Sequence, residues 1–471
     1  MTDIRIEPGK RYYCELTDHH DRLGGTFAIQ GGDIRLSLVS LNAFFHIDDE
    51  KNLRVRTEDN WIASLFETVG EGWSERPGEV TTAYQQYVTS NTTLVGWDAW
   101  TDGDRVMRVR FRIAGADALF ENTPMYASVM DASMGSVSYD VLAAATAEEE
   151  VTARLALLGG IRSRRPETAT PWFRIAFTEG RTLTQMRRAV TRVVRYVSCL
   201  AGVGLEATEV TVSRYTLEES LQRRERREPV HEHLVYYYYY AADDHRSRSV
   251  SLRSTLGSLR DEAGREAVEA GLCTWIERDE PWSAATAMMM ATLDTQTVMS
   301  ASRLLDATRW LEDIPGAAAQ GVIDKQHAKA LGKLVGKEAV RLGYGNVGGR
   351  YRNAISTISS ENHRDRFIRL VGDVRSVFGS DIVGDDIVDW LVEAMRMRGP
   401  AAHGARSAID DDQGAFSAAV HALECMDALL TLKDLPIGAD AIRNARRHPL
   451  IQNYRQQCMG RSPADVRSKT A

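Results

Sequence analysis

Cysteine is scarce in this sequence, and its five occurrences are scattered, odd in number and without a C-x-x-C pair. This spacing argues against a zinc ribbon and a disulfide framework, and it favours a reduced compartment. The sequence also has no uninterrupted run of 18 apolar residues, and its beginning, MTDIRIEPGK, lacks the apolar segment of a secretory signal. We therefore expect a cytoplasmic protein without a membrane partner.

An excess of positive charge is also missing, because the net charge of the 471 residues is −7 at pH 7. An acidic chain has no overall field that attracts nucleic acid, so any function on nucleic acid requires a local site. The length exceeds what one hydrophobic core normally supports, and it predicts two or three domains.

The motifs of several well-known active sites are absent, among them the P-loop, G-x-S-x-G and H-E-x-x-H. GYGNVG at 343–348 matches the dinucleotide-binding pattern, but it follows a helical stretch without a βαβ unit, which favours a loop. His231 and His233 could share one face of a strand, yet no acidic or cysteine ligand is clearly placed to complete a metal site. We expect neither a metal nor a cofactor.

The first 160 residues have the pattern of antiparallel strands. In VMRVRFRI (106–113), apolar and basic residues alternate strictly, which predicts a half-buried strand. The apolar set is Met107, Val109, Phe111 and Ile113, and the basic set is Arg108, Arg110 and Arg112. Turn residues recur in RLGG, QGGD, TDGD and SNTT, and this spacing predicts a sandwich or a barrel.

The middle of the chain mixes both patterns. RTLTQMRRAVTRVVRYVSCLAG predicts a helix that ends at Gly202, and TEVTVSR and HLVYYYYYAA predict strands. The tyrosines Tyr236–Tyr240 favour a strand, either for sheet packing or as a stacking platform for bases. The intervening QRRERRE is interpreted as a solvated charge run.

From about Trp275 onward the pattern is helical, and four amphipathic segments predict a bundle. The first could be one long helix ended by Pro315; the segments are WSAATAMMMATLDTQTVMSASRLLDATRWLEDIPG, DRFIRLVGDVRSVFG, DDIVDWLVEAMRMR and DDDQGAFSAAVHALECMDALLTLKD. The last carries one apolar stripe: Phe416, Val420, Leu423, Met426 and Leu430. The overall class is therefore α+β, with a β-rich N-terminal domain followed by an all-α bundle. After Pro436 the chain is arginine-rich, which predicts a surface helix with a disordered end, or an element that attracts phosphate.

RMRGPAAHG (396–404) raises the question of a nuclease site. Metal-free RNA cleavage needs a base for the 2′-hydroxyl proton and a cation for the phosphate, and histidine and arginine suit these tasks. Arg398 continues the packing face of its helix, whereas Arg396 continues the charged face and can pair with Glu393. Gly399 and Pro400 are expected to break the helix and turn His403 back toward the packed side. The plain alternative is a helix end with favourable cations and a hydrogen-bonded histidine.

In three other places, four to six residues also separate an arginine from a histidine that follows it: His231, His233 and His448. The first two lie beyond a charge run in a predicted strand, and the third lies beyond the last strong helix. The helix before His403 provides the better setting for a site.

The helical half resembles HEPN domains, the higher eukaryote and prokaryote nucleotide-binding four-helix bundles. Their R-x4-6-H motif lies between the last two long helices, as RGPAAHG does here. The chain as a whole resembles the ApeA-type bacterial defence proteins, in which a β-rich domain precedes a HEPN domain. RLGGTFAIQGGDIRLSLV resembles the start of that N-terminal domain and WFRIAFTEGRTLTQMRRAVTRVVRYVSCLAG its end, and the resemblance covers most of residues 8–435.

The resemblance implies an N-terminal sensor or regulatory domain over 1–275, a HEPN nuclease domain over 276–436 and a basic tail over 437–471. Arg398 and His403 would be the catalytic pair, with Arg396 in substrate binding.

The implied function is metal-independent cleavage of cellular RNA, with tRNA as a candidate, during abortive infection set off by a phage-derived trigger. The resemblance also implies a homodimer or higher homo-oligomer in which both motifs meet. Gly399 departs from the Asn, Asp or His that often follows the motif arginine, and it favours the alternative of a non-catalytic dimerisation or nucleotide-binding module. A DNA-binding regulator is a third possibility, although no convincing helix-turn-helix is present.

Overall fold

The structure of the chain is a computed structural model. The structure describes residues 4, 6–7, 9–17, 23–30, 33–41, 44–47, 52–78, 81–116, 137–157, 171–237, 259, 261–294, 299–344, 350, 354, 361–402 and 413–470. The chain divides into two compact units, one of residues 1–194 and 205–249 and the other of residues 195–204 and 250–471.

The first unit contains a twelve-stranded antiparallel sheet. The strands are β1 Arg11–Leu16, β2 Gly24–Gln30, β3 Asp33–Leu41, β4 Leu53–Thr57, β5 Ile62–Pro77, β6 Thr82–Gly96, β7 Val106–Ile113, β8 Val137–Ala145, β9 Glu149–Leu157, β10 Trp172–Arg181, β11 Ala207–Ser213 and β12 His233–Tyr237. Their order is β3-β2-β1-β4-β5-β6-β12-β11-β7-β10-β9-β8, with β3 also paired to β6. The extra pairing closes the first six strands into a ring.

The ring encloses a hydrophobic core that includes Phe27, Leu36, Val55 and Leu65, each fully buried. The other six strands extend the sheet from β6. Within this extension, β7 shows the predicted alternation, since Val109, Phe111 and Ile113 are buried on one face. The prediction of an N-terminal antiparallel β region is thereby confirmed.

The helix α1, Leu183–Ala201, and the short helix α2, Leu217–Glu225, interrupt the strands. As predicted, α1 ends at Gly202, whose φ of 68° lies in the left-handed region and whose N–H donates to Ser198 O at 2.8 Å. The charge run QRRERRE contributes to α2, which begins with a capping box between Thr216 and Glu219.

The second unit is helical. Its helices are α3 Glu262–Glu277, α4 Asp279–Asp294, α5 Ala301–Asp313, α6 Lys325–Arg341, α7 His363–Phe378, α8 Ile387–Ala402, α9 Gln413–Leu432, α10 Gly438–Asn444, α11 Pro449–Gln457 and α12 Pro463–Thr470, with a 3₁₀ turn over Ala445–Arg447. The predicted domain boundary at 275/276 falls inside α3, whose Val268 O accepts a hydrogen bond from the buried Tyr196 hydroxyl at 2.7 Å.

The helix α9 lies at the centre of the helical unit. Each of α5, α7 and α8 packs against it, and α8 also packs against α5 and α7. The predicted apolar stripe is buried, but so is nearly all of the helix, so α9 is a core helix rather than an amphipathic surface helix. Among the described residues, Gln413–Leu432 is long and apolar enough to cross a membrane, yet 94% of its apolar window is buried inside the unit.

Two predictions about helices in this unit are wrong. The expected long helix ending at Pro315 is two helices, because Ser300 caps a new helix by accepting a hydrogen bond from Arg303 N–H. The expected surface helix with a disordered end after Pro436 is instead a set of packed helices, because Leu450, Ile451 and Tyr454 are buried and α11 and α12 pack against α9.

Candidate functional site

Arg398 lies near the C-terminal end of α8 and forms a two-point ion pair with Glu312 of α5. Its Nη1 donates to Glu312 Oε1, and its Nη2 donates to Oε2 at 3.1 Å. The side chains are 39% and 40% exposed, so the pair is accessible from the surface. A carboxylate occupies both terminal nitrogens of the guanidinium in the geometry that a phosphate would also use.

Arg396 forms a separate pair within α8. Its Nε and Nη2 donate to the Glu393 carboxylate at 2.6–3.0 Å, as the helical phase predicted. The Arg396 side chain is 61% exposed, but Glu393 is only 10% exposed and therefore does not lie on a solvent face. The two arginines of the motif are thus held by different carboxylates.

The predicted helix break at Gly399 and Pro400 is wrong. The helix α8 continues through both residues to Ala402. Proline inside a helix loses one backbone hydrogen bond and costs about 3 kcal/mol or more. Ala401 is buried, so tertiary packing of the last turn offsets part of this cost. His403 lies outside the described residues, and its position relative to Arg398 stays a prediction.

Two of the three rival histidines are unsuited to reach an RNA substrate. His448 is 1% exposed and its Nε2 lies 3.0 Å from Cys199 O, and burial lowers its pKa to about 4, against the effect of this hydrogen bond. His233 is also 1% exposed, with its Nε2 3.1 Å from Asp98 Oδ1. Burial removes both from consideration as surface acids or bases, and it supports the preference for the motif around Arg398.

Glu312 also interacts with a second, deeper arginine. Arg366 of α7 is 7% exposed, and its Nε donates to Ala317 O at 2.6 Å. Burial lowers the pKa of Arg366, while the nearby charges of Glu312 and Asp427 act in the opposite direction. Glu312 therefore offsets part of the charge of a buried arginine and also binds the accessible Arg398.

A buried ion pair lies between α5 and α9. Arg303 Nε and Nη2 donate to the two carboxylate oxygens of Glu424 at 2.6 and 2.8 Å, and the side chains are 1% and 0% exposed. His421, one helical turn before Glu424, has its Nδ1 3.5 Å from Glu424 Oε2. Loss of either partner would destabilise the helical unit, because the charge of the other partner would remain buried without a counterion.

Asp427 follows on the same helix and is fully buried. Neither of its carboxylate oxygens has a hydrogen-bond partner among the described residues. Burial and the neighbouring charge of Glu424 raise the pKa of Asp427 well above its usual range, and Arg366 opposes this shift. The helical unit therefore contains a series of charged groups that begins at the buried Arg303 and ends at the accessible Arg398.

No group of three or more histidine, cysteine, aspartate or glutamate side chains that could hold a metal ion occurs within the described ranges. At the exposed end of this series of charged side chains, the Arg398 guanidinium can bind an anion. Sequence reasoning selected Arg398 but missed Glu312, because the two lie 86 positions apart and WLEDIPG carries no recognisable signal.

Comparisons with known proteins add no relative: no protein-family model, no curated protein and no solved structure matches the chain.

Proposed function

We propose that the protein is a metal-independent endoribonuclease of the HEPN type, with Arg398 and His403 as its catalytic pair. The observation that carries the proposal is the accessible Arg398 guanidinium at one end of a packed group of four helices, held by the Glu312 carboxylate. The spacing of the motif in the sequence supports it, as do the buried positions of His233 and His448.

In the proposed reaction, Arg398 exchanges Glu312 for the scissile phosphate and stabilises the charge that develops on it. His403 removes the proton from the 2′-hydroxyl or protonates the leaving 5′-oxygen, a task for which histidine is suited near neutral pH. Arg396, which is more exposed, contacts the RNA backbone beside this phosphate. The products carry a 2′,3′-cyclic phosphate and a 5′-hydroxyl.

The biological setting is proposed from the resemblance in sequence. The enzyme would cleave cellular RNA, with tRNA as a candidate, during abortive infection, and the β-rich unit would respond to a phage-derived trigger. A homodimer or higher homo-oligomer would bring two motifs into one cleft. The oligomeric state is measured by light scattering after size-exclusion chromatography at micromolar concentration. A strictly monomeric protein would contradict the shared cleft.

A second candidate function is a non-catalytic dimerisation or nucleotide-binding module. The ion pair of Arg398 with Glu312 favours it, since both terminal nitrogens of the guanidinium are already occupied. Gly399 also favours it, since glycine offers no polar side chain beside the arginine.

The test is cleavage of total cellular RNA by the full-length protein in EDTA, for wild type, Arg398→Ala and His403→Ala. Arg364→Ala is the matched control, because Arg364 is an exposed arginine paired with Asp389 near the other end of α8. His327→Ala is the histidine control, because His327 is 80% exposed on α6.

We expect cleavage by wild type and both controls, and its loss in Arg398→Ala and His403→Ala. Cleavage that survives both motif substitutions would reject the site. If wild type does not cleave, the assay is repeated with lysate of phage-infected cells as the source of the trigger. Absence of cleavage there as well would favour the module.

A further inference from the structure

The β-rich unit contains a cavity of about 300 Å³ whose wall is unusually rich in arginine. Its charged lining residues are Arg108, Arg110, Arg154, Arg174, Arg224 and Glu232. The lining thus has a formal excess of four positive charges in a chain that is acidic overall. The arginines come from four elements, β7, β9, β10 and α2, so the sheet and the helix together bring them into one place.

The pairing of strands places two of these arginines side by side. Arg110 of β7 is directly opposite Arg174 of β10. Like charges at directly opposed positions destabilise an antiparallel pair. The alternation that buries Val109 and Phe111 on β7, and Phe173 and Ile175 on β10, explains why these positions point to the other face, but it does not explain why both of them are arginine.

Arg108 forms the inner wall of the cavity. Its side chain is 11% exposed, and it donates from Nε to Tyr215 O at 3.0 Å and from Nη2 to Ser220 Oγ at 2.8 Å. These bonds fasten α2 over the sheet. Burial lowers the pKa of Arg108, and the charge of Glu232 opposes this effect. Arg108 is therefore a structural part of the wall.

Glu232 is the acidic residue of the cavity lining, and it is shared. Its carboxylate lies 3.3 Å from Arg110 Nη2 and 3.9 Å from Arg108 Nη2. Arg174 and Arg224 form no ion pair with any residue in the described part of the chain. Their guanidinium groups are consequently available to an anion.

We propose that this cavity binds the polyphosphate group of a small ligand such as a nucleoside triphosphate. Two or more adjacent phosphates carry enough negative charge to offset the excess, and arginine binds phosphate oxygens in pairs. The volume lies at the lower end of the range for small-molecule pockets, about 300–1,000 Å³, which favours a single nucleotide over a nucleic-acid helix. The site is independent of the proposed nuclease activity.

Binding is measured by titration calorimetry on the full-length protein at low ionic strength, with ATP, ADP and pyrophosphate, and with AMP as a single-phosphate comparison. We expect saturable binding of ATP that weakens as salt is added. Binding of pyrophosphate with comparable affinity would assign the recognition to the phosphates, whereas a marked preference for ATP would include the nucleoside.

The variants Arg174→Gln and Arg224→Gln should each weaken binding by about tenfold or more, because a hydrogen bond between charged groups is lost. Arg112→Gln is the matched control, because Arg112 lies on the same face of β7 but pairs with Glu209 outside the cavity. It should leave the affinity within about twofold, a change of less than about 0.5 kcal/mol.

The melting temperature of the unliganded protein separates a binding role from a structural one. Arg174→Gln should melt at the same or a higher temperature than wild type, because it removes a like-charge contact. A lower melting temperature with unchanged ATP affinity would show that the arginines stabilise the sheet, and the proposal would fail. It would also fail if wild type bound none of the three polyphosphate probes at millimolar concentration, or if a short RNA bound far more tightly and competed with ATP.

Discussion

The buried pair of Arg303 and Glu424 leads to a sharp prediction about stability. The Arg303→Met substitution keeps an unbranched side chain that replaces the aliphatic part of arginine, but it leaves the Glu424 carboxylate, which is fully buried, without its cation. Removing one partner of a buried ion pair costs about 3–5 kcal/mol. For a unit of this size, about 2–4 °C of melting temperature are lost per kcal/mol, so we expect a decrease of roughly 10 °C.

The reciprocal change, Glu424→Leu, should be similarly costly, because it leaves the Arg303 guanidinium buried. Combining both substitutions removes both charges and replaces them with apolar groups, which is often neutral or stabilising. The double variant should therefore be within about 1 kcal/mol of wild type or more stable, and the coupling energy in the double-mutant cycle should exceed about 2 kcal/mol.

The assay is urea denaturation, monitored by the helical signal in circular dichroism, together with thermal melting. Arg364→Met is the control, because the pair of Arg364 and Asp389 is exposed and should contribute less than about 1 kcal/mol. A loss of stability with Arg303→Met as small as with the control would contradict this prediction. A double variant whose loss of stability equals the sum of the losses in the two single variants would also contradict it, since the loss would then come from packing.

Three further predictions concern the helical unit. Glu312→Gln should tighten RNA binding several-fold in a filter-binding assay, because it removes the carboxylate that competes for Arg398. The variant is made in a His403→Ala background to prevent cleavage. Weaker binding would show instead that Glu312 positions the arginine. Burial lowers the pKa of His448 from 6.5 to about 4, so its stabilising contribution is complete above pH 6.5 and is lost as the pH falls toward 4. His448→Gln should therefore reduce the decrease in melting temperature between pH 6.5 and pH 4. An unchanged decrease would contradict this prediction. Asp427 should have the opposite pH dependence, because its pKa is raised: its contribution to stability is complete at low pH and is lost as the pH rises through the raised pKa. Asp427→Asn should therefore raise the melting temperature most at alkaline pH. A larger increase at acid pH would contradict this.

Local patterns in the sequence predicted individual elements well. Strict alternation identified β7, and apolar spacing with a terminal glycine identified α1, because both signals depend on neighbours within a few residues. The division between α4 and α5 was missed, because no glycine or proline interrupts the residues between Met288 and Ser302. The continuation of α8 through Pro400 was missed because tertiary packing of the last turn, to which the buried Ala401 contributes, overrides a local helix-breaking preference.

The parts of the two sites that depend on distant residues could not be predicted. Helical phase singled out Arg398, but its partner Glu312 lies on another helix and is selected only by the packing of α5 against α8. Likewise, the sequence shows the arginines of β7, but the strand order that brings Arg174 opposite Arg110 is set by long-range pairing. Single side chains follow from short-range chemistry, whereas their partners follow from topology.

The proposed nuclease activity is tested most sharply by the chemistry of the RNA ends that the protein produces in EDTA. We expect fragments with a 2′,3′-cyclic phosphate and a 5′-hydroxyl, detected by mass spectrometry. These fragments should disappear with Arg398→Ala, whereas Arg364→Ala should still produce them. Fragments with a 3′-hydroxyl and a 5′-phosphate, or cyclic-phosphate ends that persist with Arg398→Ala, would contradict it.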